Sequence, residues 1–491
     1  MKARGNIEFR ILCLAILASV TTGCSVMPTY ERPTLNVPGS YKEEFTPLLE
    51  GKEAAGDWKL AEPAPEELAN TDWSAFQDEQ LTDLQSKALS DNQDIAAKIA
   101  QLGRARALIK DAQAAYYPSI SASTGPTRQR ISSTGQYLSD GDPGISQSYW
   151  RAQVSVAYEV DLFGKNSSAV AATLADYESK QNDLAALKLL VQADVASTYF
   201  LLRQLDSEIH LTQGAVANRE NTVSLIERKL VEGVVRPGVL SSAQAELAKS
   251  RAALTAIQRQ RAIVEHALAA LLGRAPSDFF YDSHEQRFIT VHIPPGLPSS
   301  LLERRPDIAS AERRMAAANA EVGVAKAAYF PALNLTGSAG YESSSLGNLF
   351  NWSQRTFLLG PLVGAALSLP IFDGGRREAT IEQARARYQE EVAAYRGTVL
   401  KAFREVEDSL VSIRTLDEAI EQLRLAQAAA QSASSEAQSR FEIGDSDYLF
   451  YLDTQRTLIE QQLELVRAQG ARLRASVDLI RALGGGWRQL N

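Results

Sequence analysis

The chain has only two cysteines among its 491 residues, and Cys13 lies in a leader that we expect to be removed. The mature protein would keep Cys24 alone, which excludes an internal disulfide and any metal site built on several thiolates. The four histidines are scattered and form no catalytic set. A Walker loop is also missing, which argues against nucleotide hydrolysis by a P-loop in this chain. These absences predict a protein that is not an enzyme and binds no metal or dissociable cofactor.

Proline is absent from Gly144 to Arg236 and from every position after Pro370. Proline breaks helices, so long proline-free stretches favour long ones. We predict two helices of about 100 Å at a rise of ~1.5 Å per residue. Each turns at a glycine and returns as a shorter helix: 165–232, Gly233 and 239–272, then 376–443, Gly444 and 447–483.

Clustered positive charge is lacking too. The formal net charge is −8, and no basic cluster with interleaved aromatics occurs, which argues against a nucleic-acid partner. Beyond residue 23 no run of 18 or more apolar residues follows, so a membrane would be crossed by strands. Four stretches alternate with the required period of two: 119–127, 150–162, 333–339 and 357–371.

The clearest of these stretches runs from Trp150 to Leu162 and is long enough to cross a bilayer at a tilt. Its apolar residues alternate with polar ones. We expect the apolar set to face lipid, namely Ala152, Val154, Val156 and Tyr158, and the polar set to face a lumen, namely Gln153, Ser155 and Glu159.

The first 23 residues have the composition of a secretory signal, with a basic start and the apolar run Ile11–Val20. The segment ends in Gly23-Cys24, which resembles a bacterial lipoprotein signal, and Cys24 would then carry a covalent lipid. An ordinary signal that ends near a cysteine is the alternative. Residues 24–72 are rich in proline and glutamate and predict an extended tether.

The remainder of the chain repeats itself with a period near 210 residues. Asp94–Pro118 aligns without a gap on Asp307–Pro331, with ten identities over 25 positions. The predicted order is signal peptide 1–23, lipidated tether 24–72, equatorial and upper helices 73–117 (with a short amphipathic helix Trp73–Ser90), strands 118–163, helical hairpin 164–273, linker 274–305, upper helix 306–330, strands 331–372, helical hairpin 373–484 and tail 485–491.

Four strands per chain cannot close a barrel, because bacterial outer-membrane barrels begin at about eight strands. An open sheet in lipid would leave edge N–H and C=O groups unpaired at several kcal/mol each. The chain must therefore oligomerise. A dimer would give eight strands with a filled lumen and a trimer twelve with a channel, and small polar residues on the inner face favour the trimer.

Four ordered motifs resemble the outer membrane factor family of bacterial tripartite efflux systems, in its OprM-like lipoprotein branch and more distantly TolC. They are Leu301–Ile308 (LLERRPDI), Val324–Pro331 (VAKAAYFP), Ile371–Gly375 (IFDGG) and Ala482–Trp487 (ALGGGW). The resemblance implies an α+β homotrimer with a 12-stranded barrel in the outer membrane and a helical periplasmic tunnel. It also implies a passive exit duct for small molecules, docked with a periplasmic adaptor and an inner-membrane pump of the RND type.

The same resemblance implies the site residues. Leu449 and Asp453 would constrict the periplasmic mouth, and three copies of Asp453 would form a carboxylate ring; a solvated acid is the alternative. Gly233, Val234, Gly444 and Asp445 at the hairpin tips would meet the adaptor, although the glycines also suit simple positive-φ turns. Arg305-Pro306-Asp307 favours a structural role at a helix start. The rival functions are a type I protein-secretion duct and a non-conducting lipoprotein scaffold.

Overall fold

The computed structural model of the chain describes residues 25–34, 37–43, 73–132, 144–283, 291, 293, 301–359 and 364–485. The predicted signal peptide, Cys24, most of the tether and of the linker, and the tail after residue 485 lie outside these residues. The described part is an α+β fold that divides into two compact units. The first holds the described residues of Met1–Pro33, Leu102–Lys180 and Ala311–Tyr395, and the second those of Thr34–Gln101, Gln181–Ser310 and Arg396–Asn491.

The proline-free stretches form long helices at the predicted positions. The helices are α1 Glu79–Asp91, α2 Gln93–Ala114, α3 Lys165–Val231, α4 Pro237–Leu271, α5 Leu301–Arg304, α6 Pro306–Ala327, α7 Arg376–Ile443 and α8 Tyr448–Ala482. Their lengths recur in pairs: α2 and α6 have 22 residues each, α3 has 67 and α7 68, and α4 and α8 have 35 each.

The predicted single helix from Trp73 to Ser90 is instead two elements. A 3₁₀ turn, Trp73–Phe76, precedes α1, and Gln77 between them has a positive φ of 48°. The carboxylate of Asp78 accepts a hydrogen bond from Leu81 N at 3.0 Å and so caps the start of α1. This N-cap satisfies an amide that has no partner within the helix, which explains the break.

Helix α3 contains a stretch that is long and apolar enough to cross a membrane by length and composition alone, and 44% of this stretch is buried inside the protein. Burial against other helices is typical of a core helix.

An antiparallel sheet in the first unit contains all the described strands: β1 Ser119–Arg130, β2 Ser146–Val160, β3 Ala332–Ser343, β4 Arg355–Leu359 and β5 Ala365–Ser368. The order is β1-β2-β3-β4, with β5 also paired to β3. The helices α2, α3, α6 and α7 adjoin the strands in sequence at one end of the sheet, and the β1–β2 and β3–β4 connections lie at the other.

The register confirms the alternation predicted from the sequence. Val154 pairs with Ala122 and Ala339, and Val156 pairs with Ile120 and Gly337. Directly opposed residues share a face of a sheet. One face therefore carries Ile120, Ala122, Ala152, Val154, Val156, Tyr158, Leu335, Ala339, Phe357 and Leu359, and the other Ser119, Ser121, Gln153, Ser155, Glu159, Asn334, Thr336 and Ser338. We call these the apolar face and the polar face.

The fourth strand differs from the prediction of one continuous strand over 357–371. Gly337 of β3 pairs with Leu359, whereas Leu335 pairs with Ala365. Only Thr336 separates the two pairs on β3, while five residues separate them on the other strand. Gly364 has a φ of +95°, a conformation that suits glycine and ends regular pairing. The strand is thus divided into β4 and β5.

The described part of the tether docks as predicted for an extended segment. In the first unit Asn319 Nδ2 donates to Pro28 O at 2.9 Å, and Arg32 forms an ion pair with Glu312 at 3.2 Å. In the second unit the Glu407 carboxylate accepts hydrogen bonds from the backbone amides of Lys42 and Glu43, at 2.8 and 3.0 Å. These bonds hold an otherwise irregular segment against helices of both units.

The Arg305-Pro306-Asp307 motif has the predicted structural role. Arg305 is 7% exposed and donates to Ala482 O at 2.8 Å. Its guanidinium also pairs with Asp307 at 2.7 Å and Glu405 at 2.8 Å. Because a buried guanidinium needs several acceptors to offset its lost hydration, this network fixes the start of α6 to the end of α8 and to α7.

Candidate functional site

The two hairpin tips lie in the second unit, and each is built by a glycine in the left-handed conformation. Gly233 has a φ of +76° and Gly444 a φ of +85°. After each helix the next amide reaches back to a carbonyl five residues earlier, from Val234 N to Lys229 O at 2.9 Å and from Asp445 N to Arg440 O at 2.8 Å. This is the Schellman arrangement, so the structure confirms that both glycines are helix-terminating turn residues.

The tips also present an open apolar surface. No heavy atom lies within 4 Å of a Cβ placed on Gly233 or Gly444. Val234 is 68% exposed, and the exposed side chains around it and around Asp445 include Val231, Ile443, Leu449 and Phe450. Apolar side chains grouped at an exposed end are typical of a surface that contacts another protein.

Leu449 and Asp453 lie on the same exposed face of α8, four residues apart, as predicted. Leu449 is 66% exposed, and the Asp453 carboxylate forms no hydrogen bond or ion pair with a residue that the structure describes. The opposite face of this helix is buried and begins at Tyr448. The helix starts at Asp447, whose carboxylate accepts from Phe450 N at 2.8 Å. The cap and the buried face together fix the direction in which Leu449 and Asp453 project.

A buried cluster holds the two hairpins together just above the tips. It contains Val223, Ile226, Ala243, Ala437, Phe441, Tyr448, Tyr451 and Leu452. The rings of Phe441 and Tyr451 stack at a centroid distance of 5.1 Å and an interplanar angle of 5°. Each large apolar side chain buried here contributes roughly 1.5–3 kcal/mol. The cluster therefore sets the separation of the hairpins at the level of Leu449 and Asp453.

Lys229 adds a polar link between the hairpins. Its ammonium donates to Phe441 O at 2.9 Å and lies 4.6 Å from the centroid of the Phe441 ring. A cation near the C-terminal end of a helix interacts favourably with the helix dipole. This contact joins the end of α3 to the end of α7.

An ion pair that the sequence analysis did not identify crosses between the two return helices. Arg456 of α8 donates from Nε to Glu246 Oε2 of α4 at 3.3 Å, and its Nη2 contacts the other oxygen. Glu246 is 13% exposed and Arg456 41%. The hydrogen bond from Arg456 lowers the pKa of Glu246. No local sequence signal marks this pair, since its members are 210 residues apart.

A polar cleft of about 300 Å³ lies beside this pair, between α3, α7 and α8. Arg219 lines this cleft, and burial lowers the pKa of its guanidinium. Its Nε has no hydrogen-bond partner among the described residues. The nearby Glu246 favours the charged form of Arg219, whereas Arg456 opposes it. The Glu246 carboxylate thus offsets part of the positive charge of both Arg219 and Arg456.

The predicted lipidation site, Cys24, lies outside the described part. Among the described residues, no group of three or more His, Cys, Asp or Glu side chains is arranged to hold a metal ion.

Comparison with known proteins gives a consistent result over the whole fold. The profile of the outer membrane efflux protein family matches residues 84–274 and 297–485. The chain is 33% identical to outer membrane protein OprJ of Pseudomonas aeruginosa, over 96% of this chain and 95% of OprJ. It is 31% identical to the probable efflux pump outer membrane protein TtgC of Pseudomonas putida, over 97% and 96%.

A solved structure described as a membrane protein from Pseudomonas aeruginosa superposes with a TM-score of 0.81 at 32% identity, over 95% of this chain and 99% of that one. The resemblance inferred from the four motifs is thereby confirmed, because both the profile and the relatives extend over nearly the full length. The chain belongs to the outer membrane efflux protein family.

Proposed function

We propose that three copies of this chain form the outer-membrane exit duct of a tripartite efflux pump. Small molecules would pass through it passively, from an inner-membrane pump of the RND type and a periplasmic adaptor to the exterior. The relative TtgC, named as a probable efflux pump outer membrane protein, supports the transport class and favours efflux over the type I protein-secretion duct.

The sheet provides the main physical support for a trimer. One edge of β1 and the outer edge of β4 have no strand partner among the described residues. The sheet between these two edges has one apolar face. In lipid these edges would cost several kcal/mol per unpaired group. Three sheets of four strands, with β4 and β5 counted as one interrupted strand, would close a barrel of twelve with the apolar face outward and the polar face lining a channel.

The helices support a second part of the proposal, a helical tunnel. The near-identical lengths within each helix pair favour the interpretation that the chain is a duplicated half. Helices α3, α4, α7 and α8 of three copies would give twelve tunnel helices. Helices α3 and α7 follow β2 and β5 in the chain, and they would begin on the periplasmic side if the β1–β2 and β3–β4 connections face outward.

Leu449 and Asp453 would form the periplasmic gate. Both residues are exposed on one face of α8, and Asp453 has no hydrogen-bond or ion-pair partner among the described residues. This exposure is what residues that meet their symmetry copies on an axis require. Three carboxylates close to an axis attract cations and repel anions. The Glu246–Arg456 pair would hold the two hairpins in the closed arrangement.

The proposal also includes contacts with the adaptor and with the outer membrane. The adaptor would bind the tips at Gly233, Val234, Gly444 and Asp445, where apolar side chains are exposed and the glycines leave room for an approaching backbone. A lipid on Cys24 would add a second attachment to the outer membrane.

The observation that carries the proposal is the sheet with one apolar face, one polar face and two open edges. The test is single-channel recording of the purified full-length protein in planar bilayers. We expect discrete cation-selective conductance steps from a species of three chains. A protein that inserts but never conducts would support the non-conducting scaffold instead.

A further inference from the structure

Three arginines lie on the apolar face of the sheet, all at the end where the strands connect to each other. Arg128 and Arg130 close β1, and Arg355 opens β4. Arg128 continues the register of Ile120 and Ala122, and Arg355 pairs with Tyr341 on the same face as Ala339. Since side chains two residues apart share a face, the three guanidinium groups belong to the face that we propose to be outside the barrel.

No described residue neutralises these arginines. All three are exposed, and Arg128 and Arg130 form no hydrogen bond or ion pair with the residues that the structure describes. The described strand residues of the apolar face include no aspartate or glutamate. By contrast, Arg151 on the polar face is paired with Glu342 at 2.8 Å. The imbalance of charge is therefore confined to one face.

Arg355 is held in a fixed orientation. Its Nε donates to Trp352 O at 2.7 Å, and its guanidinium carbon lies 3.4 Å from the centroid of the Trp352 ring. Stacking and one hydrogen bond leave the other guanidinium N–H groups free for an external acceptor. A planar guanidinium held in this way suits a phosphate, which accepts two of its N–H groups at once.

An apolar cleft of about 860 Å³ adjoins Arg355. Its walls include side chains of the apolar face, among them Val154, Tyr341 and Phe357, and Phe350 and Trp352 from the β3–β4 connection. The Phe350 and Tyr341 rings meet edge to face at 5.7 Å. This volume is within the range of sites that hold small ligands, and its lining suits hydrocarbon chains better than a polar solute.

We call the end of the apolar face that carries Arg128, Arg130 and Arg355 the arginine rim. We propose that the arginine rim binds a phosphorylated membrane lipid, with its phosphates on these three arginines and an acyl chain in the cleft. The inference rests on the proposed function, because that function puts the apolar face in lipid and the strand connections at the outer surface. Closing the barrel would bring the β1 edge of one copy to the β4 edge of the next. Arg128 and Arg130 of one copy would then lie near Arg355 of the neighbouring copy.

The experiment uses native mass spectrometry of the purified full-length protein with diphosphoryl lipid A, the same lipid without phosphates, and inorganic phosphate. We expect at least about tenfold tighter binding of the diphosphoryl lipid than of the dephosphorylated one. Arg128→Ser/Arg130→Ser/Arg355→Ser should remove this difference. The matched control, Arg151→Gln, removes an arginine from the opposite face of the same strands and should retain it.

Equal binding of the two lipids, or an unchanged preference in the triple variant, would overturn the inference. So would displacement of the lipid by an equal concentration of inorganic phosphate, since the site would then recognise free phosphate. Arg355→Gln alone keeps the test usable if the triple variant does not assemble, and it should weaken the diphosphoryl lipid several-fold. Conductance of the same samples separates the exit-duct proposal from the lipid-binding proposal. A protein that conducts but does not prefer the phosphorylated lipid would refute only lipid binding at the arginine rim.

Discussion

Glu246 and Arg456 join the two helical hairpins through an ion pair whose Nε–Oε2 distance is 3.3 Å. The pair lies on the return helices above the tips, and Tyr448 and Arg219 are among the groups that influence its electrostatics. In the proposed gate this pair would help to hold the mouth closed, and its contribution would require both charges.

Replacing Glu246 by Gln should loosen the mouth. The change removes a charge-assisted bond and leaves Arg219 without its acid, at a net cost of about 1 kcal/mol given the partial exposure of Arg456. We expect a higher resting conductance in planar bilayers. Glu220→Gln is the matched control, because it breaks an exposed pair with Arg251 within one hairpin. Equal effects of the two variants would exclude Glu246 as a link that matters for closure.

Acid should have the same effect on the wild-type protein. Arg456 lowers the pKa of Glu246 below its ordinary value of 4.5, so the carboxylate stabilises the paired state above that value. The stabilisation is lost as pH falls through the lowered pKa. Resting conductance should therefore rise below about pH 4.5, and Glu246→Gln should reduce this rise. A pH profile that is identical in the variant would mean that another group titrates.

Asp453→Ala should remove the proposed carboxylate ring. Resting conductance should increase and block by divalent cations from the periplasmic side should weaken, because cations are no longer attracted to the axis. Asp447 is unsuitable as a control, since its carboxylate caps α8 and its loss would cost about 1 kcal/mol. Glu436→Gln is the matched control, because it removes an exposed acid that pairs with Arg440 at 2.9 Å. Wild-type conductance and block in Asp453→Ala would place the constriction elsewhere.

The two faces of β2 should differ in their tolerance of charge. Val156→Arg puts a guanidinium on the apolar face near mid-strand and should cost roughly 2–4 kcal/mol if that face meets lipid. Ser155→Arg puts the same group on the polar face and should cost far less. The measure is the heat stability of the assembled protein in detergent and its yield in the outer membrane. Similar losses at both positions would contradict the assignment of the faces.

Cys24→Ser should abolish palmitate labelling while much of the protein still assembles, because the sheet would hold it in the membrane without the lipid. The measurement is metabolic labelling of cells that express the wild type or the variant, with assembly followed by gel filtration. Labelling that persists in the variant would show that Cys24 is not the modified residue.

The helices and the strand faces could be predicted from the sequence because each depends on local patterns. The long proline-free stretches predict the first and last residues of α3 and α7 to within a residue or two. The period of two in β2 assigns Val154 and Val156 to one face. The division of β4 from β5 was missed, since apolar alternation continues through Gly364 while its backbone does not stay extended. Glu246–Arg456 and Lys229–Phe441 were also missed, because pairing over some 210 residues leaves no trace in local composition.

The docked tether also constrains the order of folding. Its described residues precede every helix and strand that the structure describes, yet Pro28 is bound by Asn319 and Glu43 by Arg414, at separations of 291 and 371 residues. Contacts of such sequence separation form late because the intervening chain must be ordered first. The tether is thus synthesised before the helices that bind it, but it reaches its final position after them. Until α6 has formed, the Pro28 carbonyl would lack its Asn319 partner, and this interval would suit the lipidation that we propose at Cys24.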